Sequence, residues 1–436
     1  MRSSPIFEES STASTRRPCK RRGVPPASWP FVRPQPWRCP RGAGRSCFAI
    51  TRSGSCARRC SRWSTHSAPA PARRRSSDFP ARLRTVERER RGMAERVLTV
   101  RELNRATLAR QLLLERKRLS PTAVIERLVG MQAQSPQAPY VGIWTRTTSF
   151  RRETLERQLK SAAVIRATLI RQTLHLVTRR DYALMRSALS ETNHYDKMPI
   201  AQRLAPEVRR LAAAGPMTMA EAMAYLEHEH ALRGVNARRA WRGARVRAHV
   251  VHHPESAFWR ASPENRFVAI EEPAALDPTD ARVELLRRYL LAFGPASRRD
   301  FAFWAMMQAP EVGRALARAE PLLVRFRDEQ GRELLDVPRA PLPVPEMPAP
   351  VRFLPKWDNV LLAWVDRSRV LPEAYRKAVI GMNGDVAPTF LVDGFVAGIW
   401  RADDGRVVTE PFTTLPRTVK REVADEAERL EAFLAG

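Results

Sequence analysis

The sequence predicts an α+β chain in which helix–helix–hairpin units repeat in tandem ahead of an antiparallel β-rich segment. Three observations lead there. Helix starts marked by a cap residue and a proline or glutamate recur from residue 98 onward. Two Gly-Pro-x-(Ser/Thr) starts, at Gly215 and Gly294, each precede a helix pair and then two strand-like runs. A proline-rich stretch at residues 338–350, PRAPLPVPEMPAP, separates these units from short alternating runs joined by tight-turn signals.

Taken in order, residues 1–92 come first, and they read differently from the rest. They are rich in Arg, Pro, Ser and Ala and show almost no helix or strand period. They hold 22 Lys+Arg against 5 Asp+Glu, a net of +17, out of +29 for the chain, leaving 29−17 = +12 for the body. One reading is a disordered basic tail that adds affinity for polyanions; the other is a start codon assigned too far upstream, with Met93 as the working start. All five cysteines (Cys19, Cys39, Cys47, Cys56, Cys60) fall in this stretch. The body therefore has no thiol for a disulfide frame or thiolate metal site, and no His/carboxylate cluster at ligand spacing, so no metal is expected. No run of about 20 apolar residues suggests a membrane span, and the start lacks the apolar segment of a secretory signal. The expectation is a soluble cytoplasmic protein.

The body opens with Thr99 and Glu102 as a capping box for a helix through Leu103, Leu108 and residues 112–114. Ser120 caps a second helix, Pro121 suits its first position, and Gly130 marks its end. Ser135-Pro136 starts a third helix to about Arg146, and a fourth covers about residues 152–161. Leu169 to Val177, LIRQTLHLV, then alternates as a strand with Arg171, Thr173 and His175 on one face. Helix, helix, turn, helix, strand is the order of a winged helix-turn-helix unit.

Met131, Gln132, Ala133 and Gln134 are caught between two of these helices. If the link is extended, Gln132 and Gln134 face the same way. On a regular helix they would stand about 200° apart. Two carboxamides directed at one point are neither acid nor base, and they are the feature to explain.

The same grammar returns. Thr218 and Glu221 form a capping box after Gly215. Asn236 is expected to cap a helix bearing Arg238, Arg239, Arg242 and Arg245, and VRAHVVHH and ENRFVAI follow as a strand pair. After Gly294, helices run through Phe301 and Trp304 and from Pro310, and LLVRFR and RELLDV form a hairpin. Beyond the prolines, YRKAVIGM, VAPTFLV, FVAGIWR and RVVTEPF read as a meander, with Asp393-Gly394 a strong hairpin signal. A closing helix carries Val419, Val423, Ala427, Leu430 and Leu434 on one stripe. The expected organisation is a tail at 1–92, units at 93–200, 201–278 and 279–345, and a β-rich domain at 346–436.

Gln132-Ala133-Gln134 at a helix junction, LIRQTLHLV, RRYLLAFGPASRRDFAFW and LPKWDNVLLAWVDRSRVL together resemble the winged-helix, AlkZ-like DNA glycosylases, a family that includes crosslink-repair members. The resemblance covers about residues 98–434. It implies tandem winged helices, a β-rich C-terminal domain, damaged or alkylated double-stranded DNA as partner, and no nucleotide cofactor. It also implies that Gln132 and Gln134 match the family's Gln–hydrophobic–Gln catalytic motif, with Ala133 small at the apolar position.

An N-alkylated purine is cationic and departs without protonation, so two neutral amides that hold a water suffice for its hydrolysis. Glutamine is no general base, so undamaged purines would be poor substrates. The expected enzyme is a monofunctional DNA glycosylase. Arg171 and His175 are expected at the DNA or lesion, and Arg238, Arg239, Arg242 and Arg245 at phosphates. The bland readings stand beside these: glutamines that cap helices or touch phosphates, a satisfied histidine, and a solvated basic helix face. The rival function is a non-catalytic winged-helix regulator, although no dimerising heptad seam is visible.

Overall fold

The computed structural model describes residues 96–190, 192 and 197–436; the expected basic tail at 1–92 lies outside the described residues. Strand β1 (Val97–Leu98) leads into α1 (Val100–Arg110), whose capping box uses Thr99 and Glu102 as expected. The helix stops short of the expected 112–114 because Leu112 is left-handed at φ 58°. The Leu113 N–H then closes onto the Leu108 carbonyl at 2.8 Å. Past the break, two consecutive leucines, Leu112 and Leu113, point into two different cores.

Helix α2 (Pro121–Arg127) begins at the Ser120 cap, whose Oγ accepts from the Ala123 N–H at 3.2 Å. It ends through left-handed Val129 and Gly130, slightly earlier than the sequence suggests. A Cβ at Gly130 would stand 3.0 Å from Val177 Cγ1, on a backbone with φ +86°, so glycine is required there for both reasons. Strand β2 (Met131–Gln132) follows, extended as expected. Helix α3 (Ala138–Trp144) starts later than expected. Residues 135–137 form a turn instead, closed by the Ala138 N–H onto the Ser135 carbonyl at 3.3 Å. Helix α4 (Arg152–Lys160) matches its expected span.

The single strand expected over Leu169–Val177 is corrected. Strand β3 (Val164–Thr168) and strand β4 (Leu174–Thr178) are antiparallel, joined by a tight turn at Ile170–Gln172. Arg171 and Gln172 are both left-handed, at φ 52° and 59°. Arg171 therefore leaves from a turn and not from the face that carries His175. An alternating sequence hides such a turn because neither residue is Gly or Asn. The first sheet has order β2-β4-β3, with Gln132 opposite His175.

Helices α5 (Arg179–Ala188) and α6 (Pro199–Ala214) lead to β5 (Met217–Thr218) and α7 (Met219–His230), where the Thr218–Glu221 capping box is present. Helix α8 (Gly234–Arg247) begins before Asn236, so Asn236 lies in its first turn and is not the cap. The reason is local: left-handed Ala231 closes α7 abruptly and leaves only a short link. Strands β6 (Val250–His252) and β7 (Arg266–Ala269) pair as expected, in a sheet of order β5-β7-β6.

Helix α9 (Pro278–Phe293) precedes α10 (Arg298–Ala305), α11 (Ala309–Ala319) and the hairpin β8 (Val324–Asp328) and β9 (Glu333–Asp336). Strand β1 adds to β8 in parallel. The proline-rich stretch has no regular structure and lies along α1. Arg101, Arg105 and Arg110 donate from Nε to the carbonyls of Pro345, Met347 and Pro341 at 2.9, 2.6 and 3.0 Å.

The C-terminal sheet runs β10 (Arg352–Leu354), β11 (Thr389–Val392), β12 (Phe395–Asp403), β13 (Arg406–Pro411), all antiparallel. The expected first strand at 375–382 is instead a short helix, α12 (Arg376–Val379), flanked by turns. Strand β10 takes its place; its three residues lie just past the prolines, where no strand is expected. The Asp393-Gly394 turn is as expected, left-handed at both residues. Helix α13 (Arg417–Ala435) buries Val423, Ala427 and Leu430. The largest core is shared: it joins β4, α5, α9, α10 and β9 with Trp364. Trp364 Nε1 donates to the Phe293 carbonyl at 3.1 Å, and the Tyr289 hydroxyl donates to the Ala363 carbonyl at 2.9 Å.

Candidate active site

The Gln-Ala-Gln segment is fixed by a buried arginine. Arg166 on β3 donates to the Ala133 carbonyl from Nε at 3.1 Å and from Nη2 at 2.8 Å, and its Nη1 reaches the Ser256 carbonyl at 2.7 Å. Burial draws its pKa down to about 10, so it remains cationic at neutral pH. This clamp has a consequence for the ladder. The Ala133 N–H bonds the Leu174 carbonyl at 2.7 Å, and the return bond from Leu174 would ordinarily go to the Ala133 carbonyl. With that carbonyl held by Arg166, the Leu174 N–H donates to Gln134 Oε1 at 2.9 Å instead.

Gln132 is held separately. Met131 and Ala133 both belong to one core cluster, so Gln132 stands on the opposite face of the strand, where it is 7% exposed. Arg171 Nη2 donates to Gln132 Oε1 at 2.9 Å, and Arg171 Nη1 donates to the Trp304 carbonyl at 3.4 Å. Burial, helped by the nearby Arg367 charge, lowers the Arg171 pKa to about 10. Both contacts orient their amides chemically. A guanidinium and a backbone N–H only donate, so each glutamine must turn its oxygen toward them. Each Nε2 is then left without a partner among the described residues, and each Oε1 keeps a second lone pair.

Both glutamine oxygens are thus tied to the one short segment 171–174. The sequence expectation that the two amides face a single point is met only to that extent. Gln134 is exposed and lines a cavity of about 550 Å³, whereas Gln132 is not part of its lining.

His175 is 3% exposed, not a surface contact. Its Nδ1 lies 3.1 Å from the Thr173 carbonyl. A carbonyl only accepts, so Nδ1 carries the proton and Nε2 keeps a lone pair. Burial first, then the Arg171 charge, pushes its pKa down to about 3, and the ring is neutral under physiological conditions.

The cavity separates Gln134, Thr168 and Gln172 from helix α8. Arg238, Arg239 and Arg242 line it and are exposed. Arg245 departs from the solvated basic face that the sequence suggests, because it is 5% exposed. Its Nη2 donates to Thr168 Oγ1 at 3.0 Å and its guanidinium lies 4.9 Å from the Phe267 ring centre. It lies about two helical turns from Arg238 on nearly the same stripe, and is buried because β3, through Thr168, covers that end of the helix. Burial lowers its pKa to about 10. His252, also lining the cavity, is held well below the usual histidine range by burial and by Arg245.

The sequence reading missed Arg166, Thr168 and His252. Arg166 had a visible signal, an arginine inside the apolar run VIRAT. The capture of the Ala133 carbonyl by that arginine had none.

A family model described as DNA glycosylase AlkZ-like matches residues 125–433. An interstrand DNA cross-link repair glycosylase of Streptomyces sahachiroi is 24% identical over 356 residues, covering 73% of this chain and 92% of that protein. The solved structure of the Streptomyces sahachiroi DNA glycosylase AlkZ superposes with a TM-score of 0.67 at 21% identity, over 77% of this chain and 96% of that one. With the family model spanning most of the sequence, this chain belongs to the AlkZ-like DNA glycosylases, a family of enzymes that hydrolyse N-glycosyl bonds.

Proposed function

We propose that the protein is a monofunctional DNA glycosylase that releases N-alkylated or crosslinked purines from double-stranded DNA, with a water positioned by Gln132 and Gln134. The observation that carries this reading is the pair of donor-fixed glutamines: both oxygens are tied to residues 171–174, and Gln134 lines a cavity edged by three exposed arginines. Each amide then offers free N–H donors and a spare lone pair, enough to hold and orient a water.

In this mechanism the C1′–N9 bond of a cationic 7-alkylguanine breaks, and the bonding electrons leave with the base, which becomes neutral. Water adds to the oxocarbenium carbon at C1′ and its proton passes to solvent. His175, opposite Gln132 in the sheet, is a neutral ring of very low basicity and does not serve as the general base. The site therefore favours leaving groups already activated by charge. Among the described residues no lysine lines the cavity with Gln134 to form a Schiff base, so the expected product is an intact abasic site.

Around this site we read three winged helices, within 93–200, 201–278 and 279–345, and a β-rich domain at 346–436, which together grip the duplex as a monomer. Arg238, Arg239 and Arg242 take phosphates. The test is incubation of the full chain with a duplex carrying N7-methylguanine and with an undamaged duplex. Abasic sites in the first alone support the proposal. Sequence-specific duplex binding with no base release supports a non-catalytic binder instead.

A further inference from the structure

The geometry points to Arg171 as a positioning residue for Gln132, set by the fold to orient that amide, and not as a contact to DNA. The inference rests on the glycosylase reading above and extends it to a residue outside the Gln-Ala-Gln motif.

Four observations lead there. Two Arg171 guanidinium nitrogens already have protein acceptors, Gln132 Oε1 at 2.9 Å and the Trp304 carbonyl at 3.4 Å. The second of these ties the guanidinium to helix α10, so its direction is set from outside the turn. The turn itself is costly in conformation: Arg171 and Gln172 are consecutive non-glycine residues in the left-handed region. It is closed by the Gln172 N–H onto the Leu169 carbonyl and by the Thr173 N–H onto the Ile170 carbonyl, at 3.0 and 3.1 Å. Such a conformation persists where the surroundings over-determine it, and here it aims one side chain at Gln132.

The chemistry of the partner matters too. Some buried arginines of the fold meet carboxylates, Arg110 with Asp336, Arg146 with Asp358 and Arg288 with Asp181, and others meet carbonyls or a hydroxyl, as Arg166 and Arg245 do. Arg171 meets a neutral amide instead, and no carboxylate bonds it among the described residues. A guanidinium only donates, so it forbids the flipped amide, in which two donors would face each other. It also polarises the amide and strengthens the Gln132 N–H donors. The consequence is a Gln132 whose Nε2 has one fixed direction before DNA arrives.

The test is a double-mutant cycle on single-turnover base release from an N7-methylguanine duplex, with duplex affinity measured at two salt concentrations. The variants are Arg171→Met, Gln132→Ala and both together. The expected result is a release rate about 10- to 100-fold lower in Arg171→Met, as for other small misplacements of a reacting group. Duplex affinity stays within about twofold, and the double variant is no slower than Gln132→Ala alone. Arg171→Lys, which keeps a cationic donor, recovers part of the rate. If Arg171→Met fails to fold, the cycle runs with Arg171→Lys, which slows release only when Gln132 is present. Weakened duplex binding with a shallower salt dependence would make Arg171 a phosphate contact and overturn the assignment. So would an equal loss of rate in the Gln132→Ala background. Release by the wild type that is unchanged in Gln132→Ala overturns the parent reading along with this one.

Discussion

Replacing Gln134 by alanine separates stability from activity, and the structure gives the size of both effects. The side chain makes one hydrogen bond, accepting from the Leu174 N–H at 2.9 Å, and the residue is exposed. Loss of one such bond costs about 0.5–1.5 kcal/mol, and less where water replaces the acceptor. In a large domain that lowers the melting temperature by only about 2–4 °C per kcal/mol. The catalytic loss is larger. Removing a preorganised polar group at a reacting centre costs on the order of 10²–10³ in rate, about 2.7–4 kcal/mol. The assay is single-turnover formation of alkali-labile abasic sites in N7-methylguanine DNA, alongside a thermal melt of the same preparation. The account expects a nearly unchanged melt and a release rate lower by about 100-fold or more. A rate within about threefold of wild type would refute the reasoning, since a group that positions the nucleophile is worth far more than that. So would a collapse in stability large enough to explain the loss.

Three further outcomes are expected. Arg146→Met leaves Asp358 buried without the bidentate partner that holds it at 2.8 and 2.9 Å, and destabilises the fold by about 3–5 kcal/mol; a shift in urea midpoint reads this, and Arg146→Met with Asp358→Leu recovers part of it. Stability falls as pH is lowered from about 6.5 toward 5, because His175 and His249 have folded pKa values lowered to about 3 and about 4. The unfolded chain binds those protons first, so each ring contributes a slope approaching ~1.4 kcal/mol per pH unit; a flat urea midpoint across that window contradicts the buried neutral rings. Arg238→Gln and Arg239→Gln each make the salt dependence of duplex binding shallower by about 0.9, with the chemical step unchanged; an unaltered slope removes them from the interface.

Much of the fold was legible because caps and turns act locally. Thr99–Glu102, Ser120 and Thr218–Glu221 mark helix starts through their own backbone bonds. Asp393-Gly394 marks its hairpin because both residues tolerate positive φ. What failed depended on distant partners. The turn at Arg171 and Gln172 is imposed on residues that do not favour it, with Arg171 tied to Trp304 far along the chain. Strand β10 owes its existence to pairing with β11 and not to its own three residues. Helix α9 is wrapped by the shared core and carries too little amphipathic contrast to stand out in sequence. At the site, the Gln pair was visible as a pattern, but its orientation was not. That orientation comes from Arg166, which removes the Ala133 carbonyl from the ladder, and from Arg171. Arg245 looked like its neighbours on α8 until β3 supplied Thr168 as an acceptor.

The most direct measurement is base release by the Gln132→Ala, Gln134→Ala double variant on N7-methylguanine duplex, compared with wild type at matched occupancy of the DNA. The account predicts that duplex binding survives while abasic-site formation falls to the background of spontaneous depurination. Release that continues at the wild-type rate, with the protein folded and bound, contradicts it.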